Sequence, residues 1–216
     1  MIIEPTGGLG NYMRTIFSYY AKCKKLNEKL IVIWKVTDET NGYFLDYFEE
    51  VDGIEFLRTN DKKLKVNYRG CFMAPGFQPD YSVLKLKPNM KEKLDKIRRE
   101  LGPKYISVHI RRTDHIQLAK RHNAFTPDEE FIKFIKLNPD YPLYLATDNL
   151  ETQLQFKELF PEQIKSMAII EDKRERRKTS LEQAILDVYL CAYSIKFRRS
   201  AYSSFTNLIE KIRVLL

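Results

Sequence analysis

The sequence predicts an α/β protein built on mainly parallel sheets, and three observations predict it. The chain opens as strand, glycine loop, helix, strand; from Tyr105 onward strands alternate with helices; and a helix ending at Gly102-Pro103 separates the two stretches. A chain of 216 residues buries about 70% of its unfolded surface, as one thick unit or as two small lobes. The boundary is expected at that helix, with one lobe over residues 1–88 and a second over 89–216.

Met1-Ile-Ile-Glu4 reads as the first strand, and Gly7-Gly-Leu-Gly10 as a loop. Met13, Ile16, Phe17, Tyr20 and Ala21 then follow the spacing that lays one apolar stripe along a helix. Leu30 to Trp34 supplies the next strand. Residues 36–85 are aromatic-rich and less periodic, which predicts irregular structure with short strands or helices. Lys91 to Leu101 reads as a helix, stopped by glycine as a C-terminal cap and by proline, which cannot continue it. The second lobe then reads as strand Tyr105–Ile110, helix Pro127–Leu137, strand Leu143–Ala146 and helix Leu150–Phe160. Strand Met167–Ile170, helix Leu181–Tyr193, strand Ile195–Phe197 and helix Phe205–Val214 complete it.

The formal charge of +8 suits an anionic partner without choosing among nucleotides, nucleic acid and acidic membranes. The mixed-sign run Glu171 to Lys178 reads as a solvated loop or a lid over a phosphate-bearing ligand. Cys23, Cys71 and Cys191 are odd in number and widely spaced, as expected of reduced thiols. No basic segment precedes an apolar one at Met1, and no apolar run approaches the roughly 20 residues that span a bilayer. The expectation is a cytoplasmic protein without an integral membrane segment.

In an open parallel sheet ligands bind beyond the carboxyl ends of the strands. Polar clusters stand at four such ends: Gly7 to Asn11, Arg111 to Asp114, Thr147-Asp148 and Ser200 to Ser204. Glycines before a helix let a backbone approach a diphosphate, or make only a tight turn. Adjacent arginines at a strand end match phosphate oxygens, or Arg111 pairs with Asp114. His109 is either a hydrogen-bonded, partly buried histidine or a ligand contact. Asp148-Asn-Leu-Glu151 has the spacing of a capping box, Ser203 and Ser204 can cap a helix or hold an anion, and Thr126-Pro-Asp-Glu129 starts a helix with proline first. Asp187, within an apolar segment, requires either a protein donor or a ligand's N–H groups. There is no HExxH, zinc-spaced Cys/His cluster, GxSxG or Asp-x-Asp pattern, so no metal site is expected and arginine takes the metal's place beside a leaving diphosphate.

Taken together, Ser107-Val-His-Ile-Arg-Arg-Thr-Asp114, Ala146-Thr-Asp148, Ser180-Leu-Glu-Gln-Ala-Ile-Leu-Asp187 and Tyr202-Ser-Ser204 resemble, in order, the motifs of the α1,6-fucosyltransferase family. Gly7-Gly-Leu-Gly-Asn11 is similar to the amino-terminal glycine motif of α1,2- and protein O-fucosyltransferases. The resemblance implies a GT-B-like pair of Rossmann-type lobes, the first on the acceptor side and the second binding the nucleotide. It also implies inverting, metal-independent transfer of fucose from GDP-fucose, as donor substrate, to a hydroxyl of a glycan or glycoconjugate, with no cofactor. On the same basis His109 and Asp187 hold guanine, and Arg111 and Ser204, with Ser203 beside it, hold the β-phosphate. Backbone amides of Gly10 and Asn11 face that phosphate, while Arg112 and Asp148 serve the catalytic site. This chain departs from the family at His115, where lysine is usual, and at Asp148-Asn149, where paired acids are usual. The base is left among His115, Asp114 and Asp148. The competing class is a non-catalytic nucleotide- or nucleic-acid-binding α/β protein, although no RNA-binding motif is present.

Overall fold

The computed structural model describes residues 1–61, 63–113, 115–165 and 179–216, apart from the side chains of His115 and Leu118. The chain divides into two compact units, essentially Met1–Lys91 and Glu92–Val214.

In the first unit β1 (Ile2–Pro5) leads through the glycine loop into α1 (Leu9–Leu26), then β2 (Leu30–Ile33), α2 (Phe44–Tyr47), β3 (Ile54–Leu57) and β4 (Tyr68–Gly70). The apolar stripe of α1 is buried, including Met13, Ile16 and Phe17. The helix stops where Asn27 takes a left-handed φ of 55° and Glu28 N–H bonds back to the Cys23 carbonyl at 2.9 Å. Several aromatics of the irregular region, among them Phe44, Phe48 and Phe56, are core residues. Phe44 stacks on Phe56 with centroids 4.1 Å apart, and buried Trp34 donates Nε1–H to the Gly42 carbonyl at 2.8 Å. They fill the space that short elements with little periodicity leave beside the sheet. Its strands are parallel in the order β3-β2-β1-β4.

The second unit begins within α3 (Pro88–Leu101) and continues through β5 (Ile106–Ile110), α4 (His115–Arg121), α5 (Asp128–Lys136), β6 (Leu143–Thr147), α6 (Leu150–Leu159) and β7 (Ile164–Lys165). It closes with α7 (Leu181–Tyr193), β8 (Lys196–Arg199) and α8 (Ser204–Arg213). Its parallel sheet has the order β7-β6-β5-β8, so among the described residues the four strands of each unit follow one topology. Ile106, Val108 and Ile110 pack with Phe131 and Ile135 of α5 and Phe156 of α6. The alternate residues Ser107 and His109 turn to the other face, meeting Ser194 and Thr206 at 2.7 and 3.0 Å.

Three local expectations change. Pro127 is the N-cap of α5 rather than its first residue, because its ψ of 163° is extended, and Asp128, Glu129 and Glu130 form the first turn. The last strand runs to Arg199 instead of stopping at Phe197; it is an edge strand, where charged side chains reach water, and its sequence hides its register. Helix α4 was not anticipated, since its seven residues are too short to show a period. The expected strand Met167–Ile170 and the charged run 171–178 lie outside the described residues.

Candidate active site

The connections of the second unit place its ligand edge. From β5 the chain passes through α4 and α5 to β6, and onward through α6 to β7; α7 then carries it back across to β8, on the other side of β5. Helices α5 and α6 cover the sheet face of Ile110, and α7 packs with α8, whose Thr206 meets the face of His109. The loops after β5 and β8 therefore splay to opposite faces, and the crevice between their carboxyl ends is the topological switch point of the sheet. Arg111 to Thr113 stand on one side of it and Ser200 to Ser204 on the other.

Strand alternation, carried past Ile110, sends the two arginines apart. Arg112 goes to the α5 face, where its guanidinium pairs with Asp128 and lies over the rings of Phe125 and Phe131, 5.0 and 5.7 Å from the centroids. Arg111 Nη1 meets Asp148 Oδ2 at 2.5 Å. The same carboxylate accepts the Arg112 backbone N–H at 2.8 Å on Oδ1 and the Thr113 hydroxyl on Oδ2. Asp148 thus gathers three consecutive residues of the loop after β5. Burial pushes its carboxyl up, but the charge of Arg111, the Thr113 and Arg112 hydrogen bonds and the field of His109 outweigh that, and it lies below the usual carboxylate range.

The capping-box expectation for Asp148 fails. The N-cap of α6 is Asn149, whose Oδ1 accepts from Thr152 N–H at 2.8 Å. Asp148 is thereby released from the helix and pairs with Arg111 from a neighbouring strand end, while the expected pairing with Asp114 lies outside the described residues.

Across the crevice, Ser200 N–H and Oγ–H both donate to the His109 carbonyl, at 3.0 and 2.9 Å, while Ser200 Oγ accepts the Arg111 N–H at 2.9 Å. The sequence places Ser200 in the polar cluster after the last strand but gives it no individual role; its place directly after a strand is the available signal. Ser203 caps α8, its Oγ accepting from Thr206 N–H at 3.4 Å, and Ser204 is the first helical residue. The first turn of α8 carries no acid, so nothing in it offsets the positive end of the helix dipole. His109, 4% exposed, shares a hydrogen atom between Nδ1 and Thr206 Oγ1 and lies 4.8 Å from the Phe205 ring.

Asp187 receives a protein donor. The Tyr144 hydroxyl donates to its Oδ1 at 2.6 Å, and burial pushes the carboxyl up to about 7 even though that hydrogen bond lowers it. Tyr144 pairs in register with Ser107, two residues before His109, so this contact lies along the sheet rather than at its end.

Gly10 and Asn11 belong to the first unit. Gly7, at φ 83°, makes the turn into α1, and a Cβ there would meet Asn11 Nδ2 at 2.5 Å. The Asn11 N–H already donates to the Gly8 carbonyl at 2.8 Å, so of the two amides expected to face a phosphate only that of Gly10 is left for one among the described residues. The first turn of α1 also lacks acids. Asp114 lies outside the described residues. Among those described, no three His, Cys, Asp or Glu side chains gather as metal ligands, and no helix is long and apolar enough to cross a membrane.

No protein-family model and no curated protein matches this sequence. Solved structures do match in fold. The NodZ α-1,6-fucosyltransferase soaked with GDP-fucose superposes with a TM-score of 0.67 at 16% identity, over 96% of this chain and 90% of that one. Fucosyltransferase NodZ from Bradyrhizobium gives 0.69 at 14% identity, over 96% and 91% of the two chains. POFUT1 in complex with GDP gives 0.65 at 10% identity, over 99% and 94%. The likeness is one of fold and spans both units, in agreement with the α/β, GT-B-like architecture expected from the sequence.

Proposed function

We propose that this protein is an inverting glycosyltransferase that moves fucose from GDP-fucose to a hydroxyl of a glycan acceptor without a metal ion. The observation that carries the proposal is Arg111, set at the switch point of a parallel sheet opposite the N-terminus of α8, in a chain whose fold matches fucosyltransferases solved with GDP-fucose and GDP.

In the reaction, the acceptor oxygen attacks the anomeric carbon from the face opposite the diphosphate. The bond from that carbon to the β-phosphate oxygen breaks with its electron pair, and negative charge grows on the phosphate. Arg111, with the amides at the start of α8 beside Ser203 and Ser204, stabilises that charge more in the transition state than in the ground state. The guanidinium supplies the charge that a divalent ion supplies elsewhere, which supports transfer without metal. His109 and Asp187 are the proposed guanine contacts; Asp187 keeps one oxygen for Tyr144, so its second is the one that reads the base.

The acceptor proton leaves to a base. Asp148 is poorly suited, because it is held ionised by Arg111 and its oxygens are engaged along the loop. Its role in this proposal is to position Arg111, which leaves Asp114 and His115 as base candidates. The three cysteines are free thiols, two of them buried, which supports a reducing, cytoplasmic setting.

The test is thermal stabilisation by GDP-, UDP-, CMP- and dTDP-sugars and by nucleic acid, since a selective ligand raises apparent stability. Selective stabilisation by GDP-fucose is the expected result. Stabilisation by nucleic acid with no response to any sugar nucleotide would favour a nucleic-acid-binding protein.

A further inference from the structure

Arg111 is held from both sides of the switch point: its side chain by Asp148 after β6, its main chain by Ser200 after β8. The second restraint is the less expected, because it joins two groups proposed to hold the same phosphate. Ser200 is 3% exposed. The ladder between β5 and β8 ends with His109 opposite Arg199, and Ser200 extends it by one residue through its own N–H and hydroxyl. The hydroxyl spends its only proton on the His109 carbonyl and offers a lone pair to the Arg111 N–H. Without it, that N–H would lose this acceptor in a partly buried setting.

From Ser200 the chain reaches the cap of α8 in a turn pinned at each residue. Ala201 N–H donates to Thr126 Oγ1 at 2.9 Å. Tyr202 adopts a left-handed φ of 56°, a conformation that non-glycine residues hold only where the surroundings enforce it, and its ring stacks on His122 with centroids 4.4 Å apart. Ser203 then caps the helix. The turn is therefore a rigid spacer with the Arg111 backbone at one end and the start of α8 at the other.

We propose that Ser200 is a positioning residue for the donor's diphosphate: its hydroxyl sets the direction in which Arg111 leaves β5 and fixes that cation at a constant spacing from the N-terminus of α8. This rests on the reading of the crevice as a GDP-sugar site. It implies that Ser200 matters to the phosphates and not to the base.

The experiment compares GDP with guanosine, which lacks the phosphates, by calorimetric titration of the wild type and of Ser200→Ala. GDP affinity is expected to fall about fivefold to tenfold, the scale of one neutral hydrogen bond, with guanosine affinity unchanged. Ser200→Thr, which keeps the hydroxyl, is expected to restore the GDP preference. If the alanine variant does not fold, Ser200→Cys, similar in size but a weak hydrogen-bonding group, takes its place in the same comparison. Equal losses for both ligands, or no loss for either, would make Ser200 a merely structural residue and overturn the inference while leaving the GDP site standing. A wild type that binds neither ligand would overturn the site and the inference together.

Discussion

Arg111 and Asp148 meet at 2.5 Å across the ends of adjacent strands, both largely withdrawn from water. The carboxylate also draws in the Arg112 N–H and the Thr113 hydroxyl, so one residue shapes the whole start of the loop after β5. Asp148→Asn keeps that shape but removes the charge. It should destabilise the protein by about 3 kcal/mol, as expected when one partner of a buried pair is removed, and should lower turnover as well. Its neighbour behaves differently. Asn149→Ala removes only the cap of α6 and should cost about 1 kcal/mol with turnover nearly unchanged. Denaturant melts and turnover assays of the two variants check the contrast; matching losses of activity would contradict the separate roles.

The same pair fixes an acid limit. Asp148 has a folded value below its unfolded one, so its stabilising contribution is present above about pH 4 and is lost as pH falls through the lowered folded value. In Asp148→Asn this part of the acid unfolding profile should vanish, which unfolding curves measured from pH 6 downward would reveal.

Asp187 has the opposite sign. Its value rises from 3.8 unfolded to about 7 folded, so the folded state binds the extra proton and stability falls as pH climbs through that window. Asp187→Asn retains an oxygen for the Tyr144 hydroxyl and should flatten the slope between pH 4 and pH 7. If the residue also reads guanine, the variant should bind GDP more weakly than the wild type while remaining folded. Urea melts across the window, paired with GDP titrations, check both; a flattened slope with unchanged GDP affinity would make Asp187 a core residue only.

Turnover should persist in excess EDTA, because the proposed site neutralises the diphosphate with a guanidinium and helix amides. A complete loss, reversed by adding a divalent metal, would contradict that chemistry.

Much of this fold is legible locally. Helix α7 begins and ends where its apolar segment does, and β5 and β6 fall within a residue of the hydrophobic runs that form them. Strand order is not legible, since it depends on pairings between residues far apart in the chain. No internal repeat shows in the sequence, yet both sheets have the same topology, because topology constrains burial patterns rather than residue identities. The site divides in the same way. Arg111 at a strand end can be read directly, whereas its pairing with Asp148 cannot, since it takes the register of β5 on β6, with Ile110 opposite Thr147, to bring Asp148 alongside. Ser200 is visible in a polar cluster after the last strand, but its bond to Arg111 is not, because the edge strand before it is rich in lysine and arginine and hides its register.

In the proposed reaction the planar fork of Arg111 holds two phosphate oxygens as charge develops, and its charge alone does not suffice. The most direct measurement is the turnover of Arg111→Lys, with folding checked by circular dichroism and melting. Lysine keeps the charge and loses the fork, so a folded variant should lose about 100-fold or more in turnover, on the scale of removing one transition-state donor. Arg112→Lys, which lies toward Asp128 and two phenylalanine rings, should lose less. A folded Arg111→Lys protein with near-normal transfer would show that the wrong cation stands at the centre of the site.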